Sequence, residues 1–513
     1  MSRLRMVALG VVLMLGVAAC GREAPPEGTR TAVAVDQLFT EGDDGAGGAI
    51  AGGEGAVAGA GEPSGPGADP LPGQTDGTGG GLDGGMGGTG DSGVSGTGGG
   101  GGGGRTPVRQ VPTGKGVTAG EIRIGLQVSK ELGAGFALVG ASGEAPDERK
   151  IAAAMVDWVN ANGGLAGRKL VPVWHETDVT SGSFSTQSQA ACATLTEDNT
   201  VFAAVSSAVG GNDTMAACMA QKRTPLVERN LWLFDAPYYR QFAGYLYQPG
   251  KMRADRWGAA YADGLASSGF LKGAKIGLVR FDGPVFQRVA DGAFKPALGR
   301  HGVKITDEAV LSTPGGVSDF GGMAAEINNA ILRFRTSGVT HVVFIENAGI
   351  LPFFWMPQAE SSGFHPRYGI PSNSIPATIA GQAPAAQLKD AVVVGWTPPN
   401  DVPAQFHPGG NPAWARCNAI MTKAGTSGAA GFYTQSTCDA FFFLKTVADT
   451  APSLDAAGFR AAVERLGSGF NSPFTFATRF GPGRHDGAAQ WRTGLFFDDC
   501  ACFRYTGPLQ AAP

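Results

Sequence analysis

From Glu121 onward, short apolar runs alternate with stretches whose apolar residues recur every three or four positions. Glu121-Ile122-Arg123-Ile124-Gly125-Leu126 alternates with period two and predicts a strand. Over Asp147–Asn162, Ile151, Met155, Trp158 and Val159 fall at i, i+4, i+7 and i+8, one face of a helix. Asn162-Gly163-Gly164 supplies its stop, because glycine takes the left-handed turn freely. A strand over Leu170–Trp174, a helix over Thr186–Thr196, a buried strand over Val201–Val205, a helix over Asp213–Gln221 and a short strand over Pro225–Val227 follow. A second set then begins. It predicts helices over Trp257–Gly269, Ala290–Arg300 and Met323–Thr336, strands over Lys275–Val279 and His341–Ile345, and a weak strand over Val310–Ser312. Such β-α-β alternation predicts parallel sheets with helices on both faces. Two open sheets give two crevices at strand carboxyl ends, and facing lobes merge them into one interdomain cleft.

The first residues change the picture of where this domain works. Arg3 and Arg5 precede the uncharged apolar run Met6–Ala19. At about 14 residues it is too short to span a core of about 30 Å, so it reads as a signal segment. Val17-Ala18-Ala19-Cys20 resembles the bacterial lipobox, which implies cleavage before Cys20 and diacylation of its thiol. The alternative is a secretory peptide cut after Ala19 with Cys20 left free. Both place the chain outside the cytoplasm. Acyl chains, at about 0.8 kcal/mol per buried CH₂, would anchor it without a transmembrane helix.

The 82 glycines are spread unevenly and concentrate between Gly42 and Gly104, mixed with Ala, Ser, Thr, Pro and Asp. So few large apolar residues cannot offset ordering entropy, so residues 20–116 are expected to be a disordered tether. Its root-mean-square reach would be roughly 50–60 Å. Its Gly-x-Gly repeats carry no nucleotide-binding signal, since no strand precedes them and no helix follows. About 395 residues remain from Val117, too many for one ordinary core and suited to two lobes. The net charge of −4 and the lack of a Lys/Arg cluster speak against nucleic acid.

Seven cysteines minus the anchor leave six in an oxidising compartment. Local geometry favours Cys192–Cys218, from helices flanking one strand, and Cys417–Cys438, across a helical hairpin. Cys500 and Cys502 would close a small strained ring or serve as a metal or redox pair. No other His or Cys ligand lies near them, and no metal or cofactor is expected.

Val159-Asn160-Ala161-Asn162-Gly163-Gly164-Leu165-Ala166-Gly167-Arg168-Lys169-Leu170 resembles the N-x-x-G-G-(I/L)-x-G-(R/K)-x-(I/L) passage of type I periplasmic binding proteins, in the leucine/isoleucine/valine-binding branch that feeds ABC importers. Thr177-Asp178, Val201 to Pro225, Tyr433 to Leu444 with Cys438-Asp439-Ala440, and Phe480 to Gly487 are similar to later family patterns. The resemblance implies an α/β fold of two Rossmann-like lobes joined by a three-crossing hinge near Gln248, Thr397 and Asn471. Lobe 1 would comprise 117–247 with 398–471, and lobe 2 would comprise 248–397 with 472–510. It implies ligand groups on loops after strands: Ser206, Ser207, Gly210, Gly211, Arg229 and Asn230 from lobe 1, and Asp282, Phe286, Glu346, Asn347 and Ser372 from lobe 2.

The chain departs from the family's amino-acid binders at Ala208-Val209-Gly210-Gly211, at Glu228-Arg229-Asn230, and at Ser372, where an acid for the ligand amine is usual. Arg229 can grip a carboxylate bidentately or pair with Glu228 or Asp235. Trp232, Phe286 and Trp355 can stack on a ligand or fill the core. No His-Glu-x-x-His or Gly-x-Ser-x-Gly motif occurs, and His175-Glu176 with Asp178 lacks a paired nucleophile motif. The expectation is a monomeric, non-enzymatic, extracytoplasmic lipoprotein. It would close on a small polar ligand (amino acid, amide or related carboxylate) and pass it to an ABC permease in the membrane. A ligand sensor of the same fold, without transport, is the alternative.

Overall fold

Two β-sheets organise the described residues, which are Val111, 113–138, 145–208, 212–426 and 431–513 of a computed structural model. Both sheets belong to the single unit Gly98–Pro513. The expected leader Met1–Ala19, the acylated Cys20, the tether as far as Gln110, and both Gly210 and Gly211 lie outside the described residues.

The first sheet contains β1 (Glu121–Lys130), β2 (Lys169–Asp178), β3 (Ala203–Val205), β4 (Leu226–Val227) and β5 (Leu246–Tyr247). Its order is β2-β1-β3-β4-β5 and every pairing is parallel. The second contains β6 (Ile276–Phe281), β7 (Ile305–Leu311), β8 (His341–Ile345), β9 (Arg367–Pro371) and β10 (Val392–Gly395), again parallel in the order β7-β6-β8-β9-β10. Antiparallel β11 (Gln490–Phe497) and β12 (Cys502–Tyr505) extend it beyond β10, and β13 (Gln510–Ala511) pairs with β11. This is a pair of doubly wound sheets with helices between the strands, the expected α/β architecture.

The strand ends differ from the sequence expectation at the sheet edges. β2 continues four residues past Trp174, because the polar run His175–Asp178 pairs in register with Gln127–Lys130. β7 starts at Ile305 and ends at Leu311, ahead of the predicted Val310–Ser312. Edge strands carry polar residues on their open side, which blurs the apolar signal.

The helix Glu148–Ala161 starts where Asp147 caps the Lys150 N–H at 2.9 Å. Its apolar stripe Ile151, Met155 and Val159 is buried in one core with Phe441 and Leu444 of the helix Gly431–Thr450. Disulfides join Cys192 to Cys218 and Cys417 to Cys438, each between helices. A third joins Cys500 to Cys502 at the β11–β12 turn, where Ala501 adopts φ 47°. Among the described residues no cluster is placed to hold a metal ion, and no helix is long and apolar enough to cross a membrane.

Each sheet has its own apolar core. The chain passes from the first to the second between Tyr247 and Met252, returns between Val402 and Ala413, and crosses again between Phe480 and Ala488. The first and third passages are zipped by backbone hydrogen bonds. Gln248 N donates to His485 O at 3.0 Å, Gly487 N to Gln248 O at 3.0 Å, and Ala488 N to Lys251 O at 2.8 Å. Lys251 is buried here with no hydrogen bond on Nζ, above the rings of Phe474 (4.8 Å) and Phe432 (5.4 Å). Burial pushes its ammonium pKa down, and Asp439, Glu228 and Asp401 pull it back up. Asp401 lies on the second passage and accepts the Tyr505 hydroxyl at 2.7 Å, while Asp439 accepts Ser472 Oγ at 2.5 Å.

The zipper leaves no room at Gly487, where an added Cβ would sit 1.8 Å from Pro249 O. Gly487→Ala should therefore lower the unfolding free energy by about 1–3 kcal/mol, read from urea unfolding midpoints. Gly481→Ala, where an added Cβ meets nothing within 4 Å, should stay within about 0.5 kcal/mol of wild type.

Candidate ligand-binding cleft

In both sheets the order reverses at the second-introduced neighbour: β1 lies between β2 and β3, and β6 between β7 and β8. Loops leaving the carboxyl ends of strands diverge at such a point and leave a crevice. The two crevices meet. One cavity of about 190 Å³ is walled by Leu132, Val179, Ala208 and Trp232, which follow β1, β2, β3 and β4, and by Phe320 and Ile350, which follow β7 and β8. Asn230 and Asn347 supply polar groups, and among the described residues no charged side chain lines it. The volume is below the roughly 300–1,000 Å³ of drug-sized sites, which suits a small molecule. Phe184 N donates across the cleft to Gly315 O at 2.9 Å, and Asn373 Nδ2 to Leu231 O at 3.3 Å.

The charged groups at the strand tips are turned inward to hold the loops. Glu148, 1% exposed, accepts Ser129 N at 2.6 Å, Ala208 N at 3.0 Å and Arg229 Nη2 at 2.7 Å. It thus ties together the tips of β1, β3 and β4. Arg229 also donates Nε to Ser206 O at 2.8 Å and Nη1 to Ser436 Oγ at 3.3 Å. The Glu228 carboxylate accepts Ser206 Oγ and, at 3.1 Å, Asn230 N. Burial raises its pKa to about 7. On the second sheet Glu346 accepts Ser374 Oγ and, at 3.0 Å, Ile350 N. Burial outweighs these bonds and raises the Glu346 pKa to about 8.

Of the eleven residues expected to touch ligand, Asn230 and Asn347 line the cavity. Ser206 and Arg229 belong to the buried loop network just described. Ser207 N donates to Gln127 Oε1 at 3.4 Å. Ser372 Oγ accepts Trp396 N at 2.7 Å and Thr397 N at 3.2 Å. Asp282 is exposed and binds the Thr313 N–H and hydroxyl at 2.9 and 2.7 Å. Phe286 is fully buried, edge-on to Trp232 with ring centroids 5.6 Å apart. Trp355 is core. His175 Nδ1 lies 3.2 Å from Thr194 Oγ1, Glu176 pairs with Arg149, and Asp178 caps Thr180. The sequence reading did not single out Leu132, Phe136, Phe184 and Phe320, which stand in the first turns of the helices that follow β1, β2 and β7 and whose large apolar side chains are the only signal they carry.

The chain belongs to the periplasmic binding protein family, whose model matches residues 137–493. No curated protein matches it. Among solved structures it is similar to a possible leucine/isoleucine/valine-binding protein from Rhodopirellula baltica SH 1. That likeness has a TM-score of 0.55 at 15% identity, covering 76% of this chain and 96% of that one. It is also similar to a solute-binding protein of an ABC transporter from Rhodopseudomonas palustris BisB5 in complex with 3,4-dihydroxybenzoic acid (TM-score 0.56, 14% identity, 77% and 97% covered). A third is a branched-chain amino acid ABC transporter protein from Thermus thermophilus with bound valine (0.56, 15%, 76% and 96%). At these identities the likeness shows the fold.

Two expectations follow from the buried carboxylates. Arg229→Met leaves Glu148 without its counter-charge and should cost about 3–5 kcal/mol in unfolding free energy. An Arg229 whose only role was to grip ligand would leave the melting temperature unchanged. For Glu346 the folded pKa lies above its ordinary 4.5, so the folded state holds a proton that the unfolded state releases. Stability is then full below about pH 4.5 and falls as pH rises through about 8. Glu346→Gln, compared with wild type by chemical unfolding across that range, should flatten the fall.

Proposed function

We propose that this protein is an extracytoplasmic solute-binding lipoprotein that closes on a small ligand and delivers it to an ABC importer. Its lobes follow the two cores and are hinged at the three passages between them, Tyr247 to Met252, Val402 to Ala413 and Phe480 to Ala488. Closure is ligand-driven, because a molecule bound by both lobes favours the state in which both touch it. Cys20, acylated, holds the chain on the membrane while the glycine tether lets it reach its permease.

The observation that carries this reading is a cavity lined by loops at the strand tips of both sheets. Its lining also narrows the ligand within the amino acids, amides and related carboxylates. The buried portion is apolar or aromatic, packed by Trp232, Phe136 and Phe320, and its polar end is hydrogen-bonded by Asn230 and Asn347. The bound 3,4-dihydroxybenzoic acid and valine of the two relatives both pair a compact apolar body with a carboxylate.

A thermal-shift screen of amino acids, amides and benzoates tests this directly. A true ligand at about 100 times its dissociation constant should add roughly 2.7 kcal/mol of stability. Trp232→Ala and Phe320→Ala should each weaken that ligand about tenfold, or about 1.4 kcal/mol. Unchanged affinity in both would place the ligand elsewhere. For the anchor, Cys20→Ser should move the protein from the membrane pellet to the soluble fraction of fractionated cells.

A further inference from the structure

A larger cavity, of about 510 Å³, lies away from the cleft and shares no lining residue with it. Its walls are the segments by which the chain leaves one core for the other. Pro398 to Pro412 lead along the second passage, Ser468 to Arg479 lead up to the third, and Arg484 sits within the third. β11 and β13 close it with Gln490 and Ala511. Asn411 ties two of these walls, donating Nδ2 to Ser472 O at 2.8 Å.

The lining has a one-sided charge. It contains the guanidinium groups of Arg479 and Arg484, and among the described residues no Asp or Glu lines it. Arg484 is poorly satisfied by the protein. Its Nε is buried without a hydrogen-bond partner, and its Nη2 reaches Ala488 O only at 3.4 Å. Asp486, the acid that acts electrostatically on Arg484, is engaged through Oδ2 by Arg256 Nη1 and, at 3.0 Å, by Arg253 N, and makes no hydrogen bond to Arg484. Partial burial, then Arg256, pulls the Arg484 pKa down, and Asp486 opposes the shift. Trp414 adds a buried indole N–H that also lacks a partner. His407 stands edge-on to it with centroids 5.5 Å apart, and its Nε2 lies 3.1 Å from Val402 O. Phe470 and Phe476 supply further aromatic wall.

We propose that this cavity is a second ligand site, for an organic anion with a flat apolar body. The carboxylate is gripped by Arg484 and Arg479, and the body lies among Trp414, Phe470 and Phe476. A guanidinium offers paired donors that match a carboxylate, and an aromatic wall favours a flat ring. An anion here also touches the segments between the cores, so it is placed to bias lobe movement independently of the cleft.

The probe is 2-naphthoate, titrated calorimetrically into the full-length protein. Binding should persist in Trp232→Ala, since Trp232 lines the cleft and not this cavity. It should weaken at least about tenfold in the Arg479→Gln/Arg484→Gln double variant, and to a similar degree when neutral 2-naphthamide replaces the anion. Should the double variant fail to fold, crystals of the wild-type protein soaked in 6-bromo-2-naphthoate decide, with an anomalous bromine peak beside Trp414 and Arg484. The proposal is overturned if 2-naphthoate does not bind at millimolar concentration, if Trp232→Ala removes binding that the folded double variant retains, or if bromine is found only in the cleft.

Discussion

One buried carboxylate holds the strand tips of the first sheet in place. Glu148 enters from the first turn of its helix and receives a backbone N–H from the end of β1, another from the loop after β3, and the guanidinium from the loop after β4. Loops at the carboxyl ends of parallel strands have no ladder partner for these N–H groups, and a buried donor left alone costs about 1–3 kcal/mol. A carboxylate can accept several at once, and Arg229 neutralises the charge that remains. Glu346 does related work on the second sheet, taking the first N–H groups of the helix Ile350–Ser361 and the hydroxyl of Ser374 after β9. The cleft is therefore shaped by acids that never face it.

That arrangement explains which features were readable in the sequence. Apolar period and glycine stops located β1, β3, β6, β8 and the helices between them, because parallel strands buried on both faces read as continuous apolar runs. The motif Asn162 to Arg168 carried the fold. The edge strands β2 and β7 were misjudged in length because one side of each is unpaired. The antiparallel strands β11 to β13 carry no helix after them to complete the alternating signal, and β9 is followed only by the short, proline-interrupted helices Pro376–Gln382 and Ala385–Leu388.

The site was less legible for a different reason. Ser206, Arg229, Glu346 and Ser372 have the chemistry of ligand groups, and they sit on the right loops. Sequence position cannot say whether a polar side chain at a strand tip points to solvent or folds back to satisfy its own loop. Here they fold back. Asn230 and Asn347 stand on the expected loops and line the cavity, whereas the sequence reading did not single out Leu132, Phe136 and Phe320.

The consequence for recognition follows from the same bonds. For Arg229 to take a ligand carboxylate it would have to leave Glu148, exposing that acid to the uncompensated burial that its pairing prevents. Asn230 and Asn347 are neutral, so they return to a ligand's carboxylate only part of the hydration it gives up. On the reading proposed above, discrimination in the cleft rests on shape and on the removal of apolar surface from water, at about 25 cal/mol per Å². Hydrogen bonds such as those of Phe184 and Asn373 seal its edge. A closed state built this way is favoured by a ligand that fills the space between Trp232 and Phe320. A strongly hydrated molecule of equal size would gain little from closure, since what it loses in water the walls do not return.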